Sequence, residues 1–590
     1  MDSKLFKTYL KKGETDDTDN YRGLAIGSAF AKLFSHILLK RLTRFIEEKK
    51  LLSPNQIGFV KGKSTSDHIF LIQTLIEKVV KKGKCKLYVA YIDFKKAYDT
   101  VNRDLLLQRL KQLGINGIFL KNIASMYEKT MYSIKINKGY LDAIDSNLGL
   151  KQGCPLSPML FNLYIDDIDS IFRENCDPIN FQGMSLSHFL YADDLVIVSC
   201  SEEGLQKSLD NLYSYSISKD LFISIKKSKT MIFNPAGKLI MKYFKINDKF
   251  LEPVNTFCYL GFDLKASGIV KHAMNTLYDK ANKAMRPLLT SIARFNIPVK
   301  SSIKLFNAFI SPIMLYNTEN WTTLTDKKIQ NFCPTSIFTN ISDTKADILH
   351  RKFLKYILGV SKSCPNLAVY GETGEIPLSL KGFRLLINFW HRVTNLSDNT
   401  LAKKALLENI TLRTNWIKTV EKLFGCFRLT DMIDNTLLFK RNTISTIQTK
   451  FMDFWHKTIA EDTSNRLIFY KSIKNEFKIE EYLTMPIFQY RKVITKIRCS
   501  DHSLEVEKGR HLNIPRENRI CKICPLGEME TEHHFLTRCP FFDRLKVKHD
   551  LAHTEEIKDL VNNTEHNKLG QYLTEAFDMR LKQIEVLQQR

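Results

Sequence analysis

Apolar and polar positions fall into two regimes along the chain. Up to about residue 270, short β-branched and aromatic runs alternate with amphipathic stretches, and beyond it long helical periodicities take over. The run Leu87-Tyr88-Val89-Ala90-Tyr91-Ile92 predicts a strand that ends in Asp93. The runs His188 to Tyr191 and Leu195 to Ser199 predict a hairpin with Asp193 and Asp194 at its turn. Helical spacing predicts helices from Ala29 to Glu48, Arg103 to Leu113, Pro158 to Phe172 and Glu202 to Tyr215, and Leu221 to Phe233 is expected as a strand. Further on come amphipathic helices from Lys271 to Phe295 and Lys300 to Tyr316, then a polar linker at 331–344 containing Pro334. From Ala346 to Met485 the chain is helical and rich in Lys, Trp and Phe, and such aromatics on apolar helix faces belong to a core before they stack on bases.

Composition narrows the class. A chain of 590 residues that is 44% hydrophobic can bury several cores, so about two to four domains are expected. The 88 Lys and Arg against 63 Asp and Glu leave a net charge of +25, which suits a polyanionic partner, although a ribosomal or chromatin protein would satisfy it equally. No apolar run reaches the length of a membrane span and no secretory signal opens the chain, so the protein is expected inside the cell, in cytoplasm and nucleus, away from membranes. Most of the twelve cysteines are scattered singly. Those within apolar strands, Cys200 and Cys258, are expected as reduced core thiols.

The acids carry the candidate chemistry. Neighbouring strand residues point to opposite faces, so Asp193 and Asp194 cannot both be core. Two carboxylates 4 Å apart repel by about 4 kcal/mol at an effective dielectric near 20, a cost that a divalent cation removes. Oxygen-only ligands suit Mg²⁺. An ordinary Asp-Asp turn is the plain alternative for such a pair taken alone. Asp93, at the end of its own apolar run, supplies a third carboxylate, and acids at one strand end and one hairpin tip suit two-metal nucleotidyl transfer.

These segments carry a family resemblance. Asp93-Phe94-Lys95-Lys96-Ala97-Tyr98-Asp99, then Gly149-Leu150-Lys151-Gln152-Gly153-Cys154-Pro155-Leu156-Ser157-Pro158, then Tyr191-Ala192-Asp193-Asp194 resemble motifs A, B and C of reverse transcriptases, most closely those of non-LTR (LINE-type) retrotransposons. The resemblance implies an α+β right-hand polymerase of fingers, palm and thumb that copies RNA into DNA, with Mg²⁺ or Mn²⁺ on Asp93, Asp193 and Asp194. Implied partners are an RNA template, a DNA primer or target, dNTPs and an endonuclease supplied in trans. Lys12, in competition with Lys11, and Arg22 of Asn20-Tyr21-Arg22 would grip the triphosphate. Gln56, Phe59 and Lys61 of Gln56-Ile57-Gly58-Phe59-Val60-Lys61-Gly62-Lys63 would lie on the template, with Lys63 keeping charge where the family often has Arg. Phe94 and Gln152 would sit by the nucleotide and Gly153 by the template base, while Tyr98 would exclude a 2′-hydroxyl unless it is core. Asp99 is expected as a structural acid or helix cap, and Asp166 and Asp167 as surface charges.

The stretch with Lys226, Lys227 and Lys229 is similar to motif D, whose lysine assists the pyrophosphate; Ser224 in place of the usual Asn leaves the choice between Lys227 and Lys229 open, with Lys229 the candidate. Phe257-Cys258-Tyr259-Leu260-Gly261-Phe262 resembles motif E, the primer grip, which implicates Tyr259, Leu260 and Gly261.

Near the C-terminus, Cys521-Lys522-Ile523-Cys524 precedes His534 and Cys539, a spacing suited to a closed tetrahedral Zn²⁺ site. His533 competes as ligand; His534 is preferred because His-x4-Cys matches the zinc-binding tail of this retroelement family. Expected domains are fingers 1–75, palm 76–265 with motifs A to E, helical thumb 266–330, a helical connector or RNA-binding region 345–510, a CCHC zinc module 511–550 and a C-terminal helix or tail 551–590. All recognisable acidic motifs belong to the palm, so the polypeptide is expected to extend a 3′ end without nicking DNA, as a fragment of an element or a stand-alone polymerase. Two other classes stay open: a group II intron or retron-like reverse transcriptase, and a silent host-retained RNA-binding protein.

Overall fold

The computed structural model describes residues 4–10, 14, 21–26, 28–128, 130–136, 139–140, 144–172, 176–321, 337–340, 343–429, 436–462, 466–552, 556–562 and 565–589. They form two compact units, Met1–His272 with Arg392–Thr414, and Ala273–His391 with Asn415–Arg590.

In the first unit, strands β1 (Lys4–Leu10) and β2 (Tyr21–Ile26) are followed by helices α1 (Ala29–Lys49) and α2 (Thr65–Leu75), then β3 (Leu87–Ile92). Helices α3 (Arg103–Gln112) and α4 (Gly117–Glu128) lead into β4 (Met131–Ile136), β5 (Gly139–Tyr140) and β6 (Ile144–Asp145). After α5 (Ser157–Tyr164) come β7 (Ile179–Phe181), β8 (Met184–Leu186), β9 (His188–Tyr191) and β10 (Asp194–Ser199), then α6 (Glu202–Ser218). The last strands are β11 (Lys229–Phe233), β12 (Phe244–Ile246), β13 (Lys249–Pro253), β14 (Thr256–Tyr259) and β15 (Phe262–Lys265).

The central sheet has the order β12-β13-β11-β3-β10-β9. All six residues of β3 are buried, because both faces of the sheet are covered, and this is why the strand reads as a continuous apolar run and not an alternation. On one face Ala90 and Ile92 share a core with Leu42 of α1, Leu106 of α3, Phe161 of α5 and Leu209 of α6. On the other, Tyr91 stacks on Phe257 at 4.1 Å, and His68 of α2 meets Phe189 edge-on at 4.9 Å. A capping box of Ser64 and Asp67 starts α2. Against α2 lies the helix Leu401–Thr411, whose Asn409 donates to Thr74 Oγ1 at 2.6 Å, while Arg392 pairs with Asp67. Residues 392–414, which the pattern alone groups with the helical region, thus pack against α2 in the first unit.

Several elements differ from expectation. The helix expected over 158–172 stops at Tyr164 and gives way to a 3₁₀ turn, Asp166–Phe172. Its acids are not surface charges. Asp166 Oδ1 accepts from Ser53 N–H at 2.9 Å, Asp167 accepts from Tyr215 and from Lys219, and Asp169 Oδ1 faces His188 Nε2 at 2.7 Å. The expected strand 221–233 is a strand only from Lys229, because residues 224–228 turn to bond the backbone of Asp93. Cys200 and Cys258 are exposed, Cys200 just past the end of β10 and Cys258 within β14 on its solvent side. The expected linker at 331–344 lies largely outside the described residues.

The second unit is helical. The expected helix 300–316 ends at Phe309, because Pro312 cannot continue it and instead starts a short helix, Ser311–Met314. Arg498 is buried with Glu372, its Nε 2.8 Å from Oε2, and Tyr482 donates to the same carboxylate at 2.6 Å. Among the described residues, no helix is long and apolar enough to cross a membrane.

Burial raises the Asp166 carboxyl from 3.8 to about 6. Between those values the folded state holds a proton that the unfolded state has released, so stability falls as pH rises through that window. Asp166→Asn keeps the acceptor for Ser53 and has no ionisation to oppose. Its melting temperature is expected to match wild type near pH ~4 and to exceed it by a constant margin above pH ~7; a difference that does not vary with pH would contradict the burial argument.

Candidate active site and metal centre

The site rests on a strand register. In the antiparallel ladder between β10 and β3, Leu195 faces Ile92, so the next step sets Asp194 opposite Asp93. Between β9 and β10, Tyr191 pairs with Asp194, which leaves Ala192 and Asp193 as the two-residue tip, Ala192 with φ of 56°. The hairpin read from the pattern is present, with its second strand starting one residue early, at Asp194. Asp93 is held by its backbone: its N–H donates to Ser228 Oγ at 3.1 Å and its carbonyl accepts from Ser224 at 2.8 Å. Oδ2 of Asp93 is buried and accepts no hydrogen bond among the described residues, and Lys227 Nζ stands 3.5 Å from it. A buried carboxylate oxygen without a hydrogen bond, beside a second acid, is a fitting donor for a hard cation.

Other expected residues divide. Lys229 is bound to Glu252 at 2.5 Å and to the Lys226 carbonyl at 2.7 Å, and it is Lys227 that stands beside Asp93. Phe94 is buried in the core. Tyr98 is half-buried and stacks on Phe161 at 4.7 Å. Gln152 donates from Nε2 to Asp99 at 2.8 Å, and its carbonyl accepts from Ala25 at 2.9 Å. Asp99 is therefore a structural acid; the cap of α3 is Asn102, whose Oδ1 accepts from Asp104 and Leu105. Gly153 is exposed with φ of 100°, a conformation that favours glycine.

Phe59 and Lys61 are exposed, whereas Gln56 is buried and faces the hairpin tip, not an open surface. Tyr259 is also buried, its hydroxyl 3.2 Å from His68 Nδ1, and burial holds His68 down to about 3. At the tip of β14 and β15, Leu260 is half-buried and Gly261 exposed, with φ of 45° and 80°. Arg22 lies in β2 opposite Tyr9. Its side chain, like Lys12, lies outside the described residues.

The pattern missed the residues that hold the hairpin from outside. Asn55 accepts from Leu190 N–H at 2.9 Å through its carbonyl and donates from Nδ2 to Asp169 at 3.3 Å. Asn162 of α5 donates to the Gly58 carbonyl at 2.7 Å. A polar residue inside the apolar face of a short helix was the available signal for Asn162; nothing local marks Asn55.

In the second unit, Cys521, Cys524, His534 and Cys539 converge, all four ligand atoms within 4.8 Å of one another. Among the described residues this is where three or more such atoms come so close; Asp93, Asp193 and Asp194 form no comparably tight group. The two cysteines flank a knuckle closed by the Ile520–Met529 bridge, and a turn at His534–Arg538 delivers the other two ligands. His534 Nε2 is 3.4 Å from Cys524 Sγ and its Nδ1 is 3.1 Å from Glu528, so His534 and not the outward His533 completes the set. The proton of Cys539 stabilises the Cys521 thiolate, whose pKa falls to about 4, and Cys539 itself is driven up in turn. Three thiols and an imidazole, with a carboxylate behind the imidazole, fit Zn²⁺ and leave no open position.

Residues 9–264 match the family model described as reverse transcriptase (RNA-dependent DNA polymerase). The Pol polyprotein of the type-1 retrotransposable element R2 from Popillia japonica is 26% identical over 556 residues, 92% of this chain and 70% of that protein. Residues 9–264 thus form a reverse transcriptase domain, and the chain is similar to the Pol polyproteins of non-LTR retroelements. A second R2 Pol polyprotein, from Nasonia vitripennis, is 29% identical over 228 residues, 39% of this chain and 22% of its own length. A solved apo telomerase from Candida tropicalis overlaps at a TM-score of 0.32 with 13% identity, over 68% of each chain, too loosely to say more. The matched span holds all three aspartates and ends far short of the cysteines, so the two centres belong to separate parts of the polypeptide.

Zinc content tests the second centre. Purified wild type is expected to carry one Zn²⁺ per chain by elemental analysis, and Cys524→Ser or chelation should unmask amide exchange around 515–545 while DNA synthesis on a simple primed template persists. Wild type without stoichiometric zinc would end the assignment.

Proposed function

We propose that this RNA-directed DNA polymerase extends a DNA 3′ end on an RNA template, with Asp93, Asp193 and Asp194 as the ligands of two Mg²⁺ or Mn²⁺ ions. The observation that carries the reading is the register that sets Asp194 across from Asp93 with Asp193 at the adjoining tip. When bound, the ions would supply charge neutralisation at the attacking hydroxyl and at the departing pyrophosphate. The protein's part is to keep acids of like charge side by side on a buried ladder and to hold Lys227 beside them as a mobile cation for phosphate oxygens.

Tyr98 is proposed as the floor under the nucleotide sugar. Its stack on Phe161 fixes the ring plane, so the ring would oppose an added 2′-hydroxyl by steric exclusion. Gly153, with open backbone, suits a template base, and Phe59 with Lys61 offers an exposed ring and cation to the template strand. Leu260 and Gly261 at the β14–β15 tip are the proposed primer contacts, while Tyr259 supports them from the core. The Cys/His centre would hold Zn²⁺ as a folding element.

Primer extension on homopolymer RNA with an annealed DNA primer tests this. Asp193→Asn should abolish synthesis and leave template affinity nearly unchanged, because phosphate contacts elsewhere supply the binding; retention of more than roughly a few per cent of activity would remove Asp193 from the metal site. Tyr98→Ala should raise ribonucleotide over deoxyribonucleotide incorporation by about tenfold or more with a smaller loss in total synthesis. An unchanged ratio would make Tyr98 a core residue.

A further inference from the structure

Ala192 stands at the tip of the acidic hairpin with a φ of 56°, a left-handed conformation that a residue with a Cβ adopts only when its surroundings impose it. Here one side chain grips it on both sides. Gln56 Oε1 accepts from the Ala192 N–H at 2.9 Å, and Gln56 Nε2 donates to the Ala192 carbonyl at 3.3 Å. Both peptide groups of the residue that precedes Asp193 are thus held by a single amide. The same Oε1 accepts from Gly58 N–H at 2.9 Å, so two backbone donors fix which end of the amide is oxygen, and the side chain is locked to its own loop.

The loop is in turn bound to the hairpin. Ile57 N–H donates to the Leu190 carbonyl at 3.0 Å, which makes this segment a short extra strand on the outer edge of β9. At Gly58 an added Cβ would fall 2.2 Å from the Ala192 nitrogen, so glycine is what lets the loop close on the tip. Gln56 is 4% exposed, out of reach of a nucleic-acid strand.

We infer that Gln56 is a positioning residue for the metal-binding acids: its amide clamps Ala192 and thereby sets where Asp193 and Asp194 present their carboxylates, in place of the template contact that its motif suggests. The inference rests on the polymerase reading of the acids. The amide holds the residue next to Asp193, and displacements near 1 Å at a reacting centre can cost about 10²-fold in rate.

The test uses the full chain with oligo(dT) annealed to poly(rA), dTTP and Mg²⁺. Gln56→Met keeps the shape of the side chain and removes all three hydrogen bonds. Expected are a fall in kcat of about 10²-fold, a raised half-saturating Mg²⁺ concentration, and unchanged affinity for the primed template. Gln56→Glu retains both accepted bonds and should fall between Gln56→Met and wild type, while Gly58→Ala, which pushes the loop off the tip, should reproduce the Gln56→Met signature and decides the matter should Gln56→Met fail to fold. A purely structural role would lower the melting temperature without moving the Mg²⁺ dependence. Wild-type kcat and Mg²⁺ dependence in Gln56→Met, or weakened template binding with kcat intact, would overturn the inference. Binding of Mn²⁺ followed by electron paramagnetic resonance separates the two levels: wild type that makes no DNA refutes the polymerase reading, whereas the clamp stands or falls on whether Gln56→Met weakens Mn²⁺ binding relative to wild type.

Discussion

The site depends on a ladder strong enough to keep like charges together. Setting Asp194 opposite Asp93 opposes two like charges, a repulsion of at most about 4 kcal/mol for carboxylates 4 Å apart at an effective dielectric near 20. Against that stands a fully buried strand pair in which Ile92, Leu195, Val196 and Ile197 are all close to inaccessible. A slip of one residue would turn every one of these side chains to the opposite face, and the loss of even one such core contact costs about 2–5 kcal/mol. The hydrophobic register therefore wins, and the acids stay where it puts them.

Acids in this protein serve two opposed purposes, separated by environment. Asp193 and Asp194 lie at the water-facing end of the ladder, where charge is tolerated and cations can reach. Asp166, Asp167 and Asp169 form a 3₁₀ turn under the adjoining loop, where each carboxylate is answered by a backbone N–H, a tyrosine hydroxyl, a lysine or a histidine. The turn ties residues 53 to 55 to β9, so the structural acids hold the frame on which the exposed ones stand. A similar economy of placement governs the Cys/His centre, where convergence of four soft donors within 4.8 Å makes a folding element and leaves no position for a reacting group.

The strands at Asp93 and around Asp193, the helices α1, α3 and α6, and the cysteine cluster were legible in the linear pattern, because each depends on local periodicity or on ligand spacing. Three features were not. Lys226, Lys227 and Lys229 look interchangeable along the chain, and only the turn at 224–228, bonded to the backbone of Asp93, brings Lys227 to the acids and sends Lys229 to Glu252. Phe94 and Tyr259 sit in motifs that suggest ligand contact, yet aromatic rings beside a two-faced sheet are taken into its core.

The sequence by itself determined which residues could be metal ligands and which runs would be strands, since carboxylate chemistry and hydrophobic period are properties of the residues. Tertiary structure alone decided which polar groups face the site and which support it. Gln56 and Ala192 are 136 positions apart, and nothing in either neighbourhood specifies that the amide of one should hold both peptide groups of the other. That pairing exists because the buried register of β3, β10 and β9 brings the hairpin tip against a loop whose glycine leaves room for it.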